Sequence, residues 1–461
     1  MDGRGLALEI VKLSRKQGAD QAEALVINQR EKAITGFDGQ PQLSGDTEVT
    51  RLTVRLIRNH RGAIISGRGS TGRAMREIVD RAIAASGNSS PDKFLGPAET
   101  SNLGRSASDL NIFDERLADI SLSKMEELAL EAEAAVVRRD PRTAHLVTSI
   151  FQVQRQSVSL CTSEGFADNY DSTLATLLMT AVMDNNFNEV GGRGQQSEDA
   201  RLTGGAASIT RRLDKIDIEK AAARTVEQLS SMAGAKRSLA GWFPVVFAPA
   251  AARRIVTTFL QLASGPVASL LSGSRLSKIG GRISSAEITL IDDGTSAGGI
   301  RTAPFDHEGI GPRRKVIIEK GILREYLLNS YFGRLLQRSS TGNAVANDDV
   351  RFSVRPSNAH IEPGTASPDS IIGNIKQGLY VNVFLSPTAQ LMPLITNFTQ
   401  AVAGVWIENG QLTYPVRAAT ISAPLSEMLE NIAGVGNDAD RSTAIASPTL
   451  MVSKMNVNPL T

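Results

Sequence analysis

Strand-like and helical periodicities fall in blocks along this 461-residue chain and not in a regular βαβ alternation. That order favours an α+β fold over a doubly wound parallel sheet. Leu6, Ile10 and Leu13 share one face of a helix over Leu6–Gln17, and Gly18 stands where it should stop. Strand-like runs follow at Ala24–Asn28, Val49–Ile57 and Gly62–Ile65, then a helix at about Ala74–Ala85 behind Ser70 and Thr71. Ser86–Leu103, rich in Ser, Pro, Gly and Asn, reads as a loop. The next helix carries a capping-box pattern, with Ser123 accepting from the N3 amide and Glu126 reaching back, and runs to Asp140-Pro141. His145–Cys161 and Tyr170–Met183 read as strands of a meander, Gly191–Gly205 as a glycine-rich loop, and Ile218–Ala233 as a helix between Asp217 and Gly234.

The boundary is placed at Ala235–Leu239. This gives an N-terminal and central α+β region over 1–234 and a C-terminal region over 235–461 rich in antiparallel strands and hairpins. The second region opens with a strand at Phe243–Phe247 and a helix at about Ala250–Leu262. Hairpins are then signalled at Val316–Glu319/Lys320-Gly321/Ile322–Tyr326 and at Val405–Glu408/Asn409-Gly410/Gln411–Tyr414. Asn-Gly between apolar runs is the strongest short hairpin signal.

Composition narrows the function classes. Lys+Arg number 50 against 48 Asp+Glu, so no overall field draws nucleic acid or an acidic membrane. The single cysteine, Cys161, makes no internal disulfide and fits a reducing, cytoplasmic setting. No signal peptide is read at Met1–Leu6. Ile255–Ser274 and Gln377–Ile407 are uncharged, but Gly265-Pro266, Pro387, Pro393 and several polar residues interrupt them, so both read as buried structure and not as membrane spans.

No reaction centre assembles from the residues alone. Gly67-Arg68-Gly69-Ser70-Thr71-Gly72 matches G-x-G-x-x-G, yet the helix after it leads into a loop and not into a parallel strand with a ribose-binding acid; a strand–turn–helix connection is the plainer reading. Cys161-Thr162-Ser163-Glu164-Gly165 lacks the first glycine of a nucleophile elbow and has strands on both flanks, which suits a hairpin turn, with Cys161 a small core residue. His307-Glu308 sits between Pro304 and Gly309 with no second histidine one turn on, so a polar turn is favoured over a zinc site, with Asp306 and Glu308 orienting Arg313 or Arg314. Asp292-Asp293 and Asp348-Asp349 point to opposite faces if extended and suit turns and caps. Gly311-Pro312-Arg313-Arg314-Lys315 would hold an anion or peptide carboxylate, or simply be a solvated strand start.

The second half resembles the TldD/PmbA family. Phe305-Asp306-His307-Glu308-Gly309 stands at the family's Phe-Asp-x-Glu-Gly turn, followed in order by Gly311–Gly321, Ser340-Thr341-Gly342-Asn343-Ala344, Pro356-Ser357-Asn358, Glu362-Pro363-Gly364 and Lys376–Val381. Trp406-Ile407-Glu408-Asn409-Gly410 with Tyr414-Pro415-Val416 is the most specific piece, and Val435-Gly436-Asn437-Asp438 closes the match. The first half is similar at Gly18–Glu23, Asp109–Asp114, Glu164-Gly165-Phe166 and Phe243–Pro249.

What the resemblance implies is a subunit. The TldD branch carries His-Glu-x-x-x-His on the helix after the Pro-Val strand, and a later Cys, for its catalytic zinc. Here Trp242–Gly281 holds no His, Cys, Asp or Glu, and no Cys follows Cys161, so the likeness is to the PmbA/TldE branch. The expectation is a non-catalytic subunit, with no catalytic or metal residue of its own. It would assemble with a zinc-bearing TldD-like partner, or self-associate in isolation, and admit extended unfolded peptides by strand addition. Cleft positions carried over from the motifs are Asp306, Glu308, Arg313, Asn343, Asn397 and Thr399. The family's Thr-Gly-Asp…Ser-x-Gly stretch appears here as Ile395–Ala401, with a carboxylate and two glycines lost. An autonomous amide hydrolase and a gyrase-modulating regulator are the alternatives; membrane and direct nucleic-acid binding are not expected.

Overall fold

A computed structural model describes residues 2–105, 109–143, 147–184, 201–385 and 397–460. The fold is α+β. Helix α1 (Gly3–Lys16) starts at Asp2, whose carboxylate accepts the Gly5 amide, and buries Leu6, Ile10 and Val11. Strands β1 (Gln21–Phe37) and β2 (Gln40–Arg58) form one long antiparallel hairpin, and β3 (Arg61–Arg68) extends it. Helix α2 (Gly72–Asn88) begins behind the Thr71 cap. The short α3 (Glu115–Ala118) precedes α4 (Leu122–Arg139), and β4 (Val147–Thr162), β5 (Ala167–Asp184) and β6 (Arg201–Thr210) lead to α5 (Ile218–Ser230). All six strands form a single antiparallel sheet in the order β3-β2-β1-β4-β5-β6.

The period-two alternation of side chains sets what each face of this sheet meets. Ala22, Ala24 and Val26 of β1, with Leu52, Val54 and Leu56 of β2, pack under α1 and α2. The intervening Leu25 and Ile27 turn the other way, onto Val158, Leu160 and Phe305. Both faces of these strands are therefore covered, which is why their sequence is apolar almost continuously at Ala22–Ile27. Beyond Asn28, β1 and β2 become polar and are held by the backbone ladder to each other and to β4.

In the second half, β7 (Gly241–Phe247) leads into α6 (Pro249–Leu262) and the short α7 (Gly265–Leu270). Strands β8 (Leu290–Asp293), β9 (Arg314–Glu319) and β10 (Ile322–Leu323) come next, then α8 (Ser330–Leu335), β11 (Ala344–Val345), β12 (Ser353–Val354) and β13 (Ala359–Ile361). After α9 (Pro368–Gly373) come β14 (Gln377–Phe384), β15 (Asn397–Glu408) and β16 (Gln411–Pro424). The chain closes with α10 (Leu425–Glu430), β17 (Ile432–Val435), β18 (Ile445–Ala446) and β19 (Leu450–Pro459). A six-stranded sheet, β16-β15-β14-β7-β19-β17, faces a five-stranded one, β10-β9-β8-β13-β18, across α6 and a core that includes Phe247, Phe259 and Trp406. Both hairpins read from the sequence are present: β9 turns to β10 through Lys320 and Gly321, and β15 to β16 through Asn409 and Gly410, all four at positive φ. None of the helices among the described residues is long and apolar enough to cross a membrane.

Three local expectations are corrected. The N-cap of α4 is Ser121 and not Ser123: the Ser121 hydroxyl accepts the Lys124 amide, and Ser123 lies inside the first turn. With Lys124 at N3, no reciprocal Glu cap forms. Gly204 and Gly205 lie in β6 and not in a loop, because α5 crosses closely there; a Cβ on Gly204 would stand 2.9 Å from Leu229. Residues 201–203 of the proposed Gly-rich loop also lie in β6, and residues 191–200 and His145 lie outside the described residues. Asp292 is no turn or cap residue: it is fully buried in β8 against Lys315, while its neighbour Asp293 does serve a turn, accepting the Thr295 amide. The G-x-G-x-x-G segment is a strand–turn–helix link, from antiparallel β3 into α2. Cys161 is buried at the end of β4 before the hairpin turn to β5.

Candidate functional site

Two segments far apart in sequence meet in one buried ionic cluster. Glu23 of β1 and Arg55 of β2 are direct cross-strand partners, and both lie on the sheet face turned toward the second half. Arg55 Nε donates to Glu23 Oε2 at 2.5 Å, and its Nη2 donates to Glu308 Oε1 at 3.2 Å. The other oxygen of Glu308 accepts the Ser330 amide at the start of α8, at 2.8 Å. The guanidinium also lies 4.0 Å over the Phe352 ring and donates to the Val350 carbonyl. Burial pushes the Glu23 carboxyl up to about 7, against the pull of Arg55. Glu308 thus orients Arg55, and neither Arg313 nor Arg314 as its position suggested.

The turn that carries Glu308 is fastened by its neighbours. Asp306 accepts the amides of Glu308, Ile310 and Ala344. Burial, with Glu308 beside it, raises Asp306 to about 7 although those amides favour its charged form. His307 accepts the Ala346 amide on Nδ1, which places its ring proton on Nε2, and burial lowers it to about 4, helped by Arg355. Asn343 bridges Asp292 to the Arg355 carbonyl and accepts from Thr341, while Lys315 spans Asp292 and the Thr341 carbonyl. Lys315, at the end of the basic run, is therefore a buried structural cation.

Of the six positions carried over from the family motifs, the structure gathers three. Asp306, Glu308 and Asn343 are buried in this connected network. Arg313 stands at the surface in an ion pair with Glu325. Asn397 and Thr399 are exposed on β15, in the other sheet.

Helix α6 follows β7, the position at which the family resemblance implies a metal helix in the TldD branch. Its buried face is Ile255, Val256, Phe259, Leu260 and Leu262. The hydroxyls of Thr257 and Thr258 donate back to the Arg253 and Arg254 carbonyls. With no carboxylate, imidazole or thiolate on it, α6 does not fit zinc.

Beside the ionic cluster a cleft of about 660 Å³ opens between the halves. One wall is the sheet face with Ile27, Thr53, Gln154, Gln156 and Tyr170; the other is formed by the loop at Ile300–Ala303, His307 and Val345–Asp348. Arg51, Arg211, Arg301 and Arg355 line it as well. Sequence reasoning missed Glu23, Arg55 and these cleft arginines. Glu23 and Arg55 did leave a signal, as single charges inside otherwise apolar strand runs.

Comparison with known proteins matches two family models to the chain: PmbA/TldA metallopeptidase central domain over residues 115–233, and the C-terminal domain of the same family over 240–459. The chain is 27% identical over 391 residues to the metalloprotease PmbA homolog of Haemophilus influenzae, covering 84% of this chain and 80% of that protein. It is 26% identical over 408 residues to the metalloprotease PmbA of Escherichia coli O157:H7, covering 88% and 85%. The fold is shared with TldE from Thermococcus kodakarensis, at a TM-score of 0.83 and 18% identity over 98% of this chain and 100% of that one. It is shared equally with a candidate modulator of DNA gyrase from Bacteroides thetaiotaomicron, at a TM-score of 0.85 and 19% identity over 99% of each chain.

Proposed function

As this chain belongs to the PmbA/TldD metallopeptidase family, we propose that it is the metal-free, TldE-like subunit of a cytoplasmic peptidase complex. One observation carries this reading: α6 offers apolar side chains and self-bonded threonine hydroxyls where a zinc helix needs imidazole and carboxylate donors. Zinc and the bond-breaking step then belong to a TldD-like partner. This chain contributes a rigid wall to a chamber that takes extended, unfolded peptides. Exposed Arg313, Asn397 and Thr399 are proposed contacts for such a peptide, while Asp306, Glu308 and Asn343 position the wall.

The test is co-expression with a TldD-like protein, followed by mass measurement of the assembly and hydrolysis of an unfolded casein-type peptide. The expected result is a mixed complex whose activity disappears with chelator, and no hydrolysis by this chain alone. Full-rate cleavage by the isolated chain in chelator would sink the proposal, and so would co-purification with gyrase in the absence of any peptidase partner.

A further inference from the structure

The cleft between the halves carries more positive charge than the protein neutralises. Arg211, Arg301 and Arg355 line it, and among the described residues none of them has a carboxylate oxygen within 4.0 Å. Arg211 is buried and spends its donors on main-chain carbonyls: Nε on Gly299, Nη1 on Thr173, and Nη2 on Ile300 and Thr302. These bonds pin the Gly299–Thr302 loop to β5 and so fix the backbone of Arg301. A second bond, from the Arg301 amide to Asn358 at 2.9 Å, holds the same residue. The Arg355 backbone is fastened to the Asn343 carbonyl at 3.0 Å.

Both positions are therefore pre-set, but their guanidinium groups are not consumed. Arg301 gives one bond, to the Pro356 carbonyl at 3.4 Å, and Arg355 gives none to the described residues. Burial, and after it the charge of Arg355, pull Arg301 below its usual range against the opposing pull of Asp292. Two adjacent planar forks with spare N–H donors are suited to gripping a planar oxyanion. Apart from Arg51 and Asp348, the remaining wall is uncharged, with Gln154, Gln156, Thr53 and Ser172 among Ile27 and Val158. That lining suits a body with amide groups and small apolar side chains. Its volume of about 660 Å³ lies within the roughly 300–1,000 Å³ of small-ligand sites.

We propose that this cleft binds the C-terminal carboxylate end of a peptide, with Arg301 and Arg355 clamping the carboxylate and Arg211 acting as a positioning residue. The choice of a peptide rests on the peptidase reading above; the binding is a property of this chain alone, so the two ideas fail separately. The test is calorimetric titration of the full chain with acetyl-Leu-Ala-Ala-Leu as free acid, with the same peptide as C-terminal amide, and with inorganic phosphate. The expected result is that the acid binds at least about tenfold more tightly than the amide. The double variant Arg301→Gln, Arg355→Gln removes that preference, while exposed Arg76→Gln on α2 retains it. Thermal unfolding verifies that the double variant is folded; if it is not, Arg355→Gln alone carries the test, since its side chain holds nothing in place. Equal binding of acid and amide, no binding of either, a preference that survives in the folded double variant (or in Arg355→Gln where that carries the test), or binding of phosphate without peptide each overturns the proposal.

Discussion

The Glu23–Arg55–Glu308 cluster makes two measurable claims. Arg55→Ala leaves two buried carboxylates without their cation, and removing one partner of a buried ion pair costs about 3–5 kcal/mol. Urea unfolding at pH 7 is expected to show a loss of that size, and a loss below about 1 kcal/mol would reject the cluster as a structural unit. The second claim concerns pH. Folded Glu23 keeps its proton up to about pH 7, whereas an ordinary Glu carboxyl releases it near 4.5. Between those values the folded state binds more protons than the unfolded one, so this group makes stability fall as pH rises from about 5 to 7. Asp306, raised for the same reason of burial, acts in the same direction. Glu23→Gln is therefore expected to flatten the decline in Tm across that interval without abolishing it. An unchanged slope in the variant would remove Glu23 from the account.

At the scale of elements, α4 separates two readings of one sequence. Ser121→Ala is expected to cost about 1 kcal/mol by loss of the cap, whereas Ser123→Ala stays within about 0.5 kcal/mol. Chemical denaturation of the two variants distinguishes them; equal effects would restore the cap predicted at Ser123. A second test lies in the C-terminal sheet. A Cβ on Gly404 of β15 would come 1.9 Å from the Tyr380 carbonyl of β14, so Gly404→Ala must spread two paired strands and is expected to cost about 1–3 kcal/mol. Helix starts and hairpin turns were legible because their determinants are local: Asp217 before α5, Thr71 before α2, Asn409-Gly410 between β15 and β16. The outer stretches of β1 and β2 were not. Arg30, Glu31 and Lys32 have no alternation to read, since backbone pairing to β2 and β4 holds them extended whatever their side chains prefer. The candidate site was legible only in part for a related reason. Arg55 meets Glu308 across 253 positions, and only the fold brings such a pair together.

At the scale of the whole molecule, the two halves are joined by more than a linker. Phe305 of the second half inserts between Leu25, Ile27, Val158 and Leu160 of the first, and the rings of Phe166 and Tyr170 meet it edge-on, each centroid 5.1 Å away. Burying one such side chain contributes about 1.5–3 kcal/mol. In the opposite sense, Arg334 of α8 donates to the carbonyls of Phe94, Gly96 and Pro97, clasping the loop after α2. With the ionic cluster between these contacts, neither half can open without exposing charge or aromatic surface, so the chain is expected to unfold as one unit. The sequence supplies a probe for this: both tryptophans, Trp242 and Trp406, lie in the second half, whereas far-ultraviolet circular dichroism reports both halves. In the native protein the two signals should share one denaturation midpoint. In the double variant Phe305→Ala, Arg55→Ala the junction loses its aromatic plug and its cation while each half keeps its own core. The dichroism transition should then broaden or split, with the fluorescence midpoint no longer coincident with it. Coincident transitions in the double variant would mean that the halves are coupled elsewhere, and that the Phe305–Gly309 turn is not the joint on which the cleft depends.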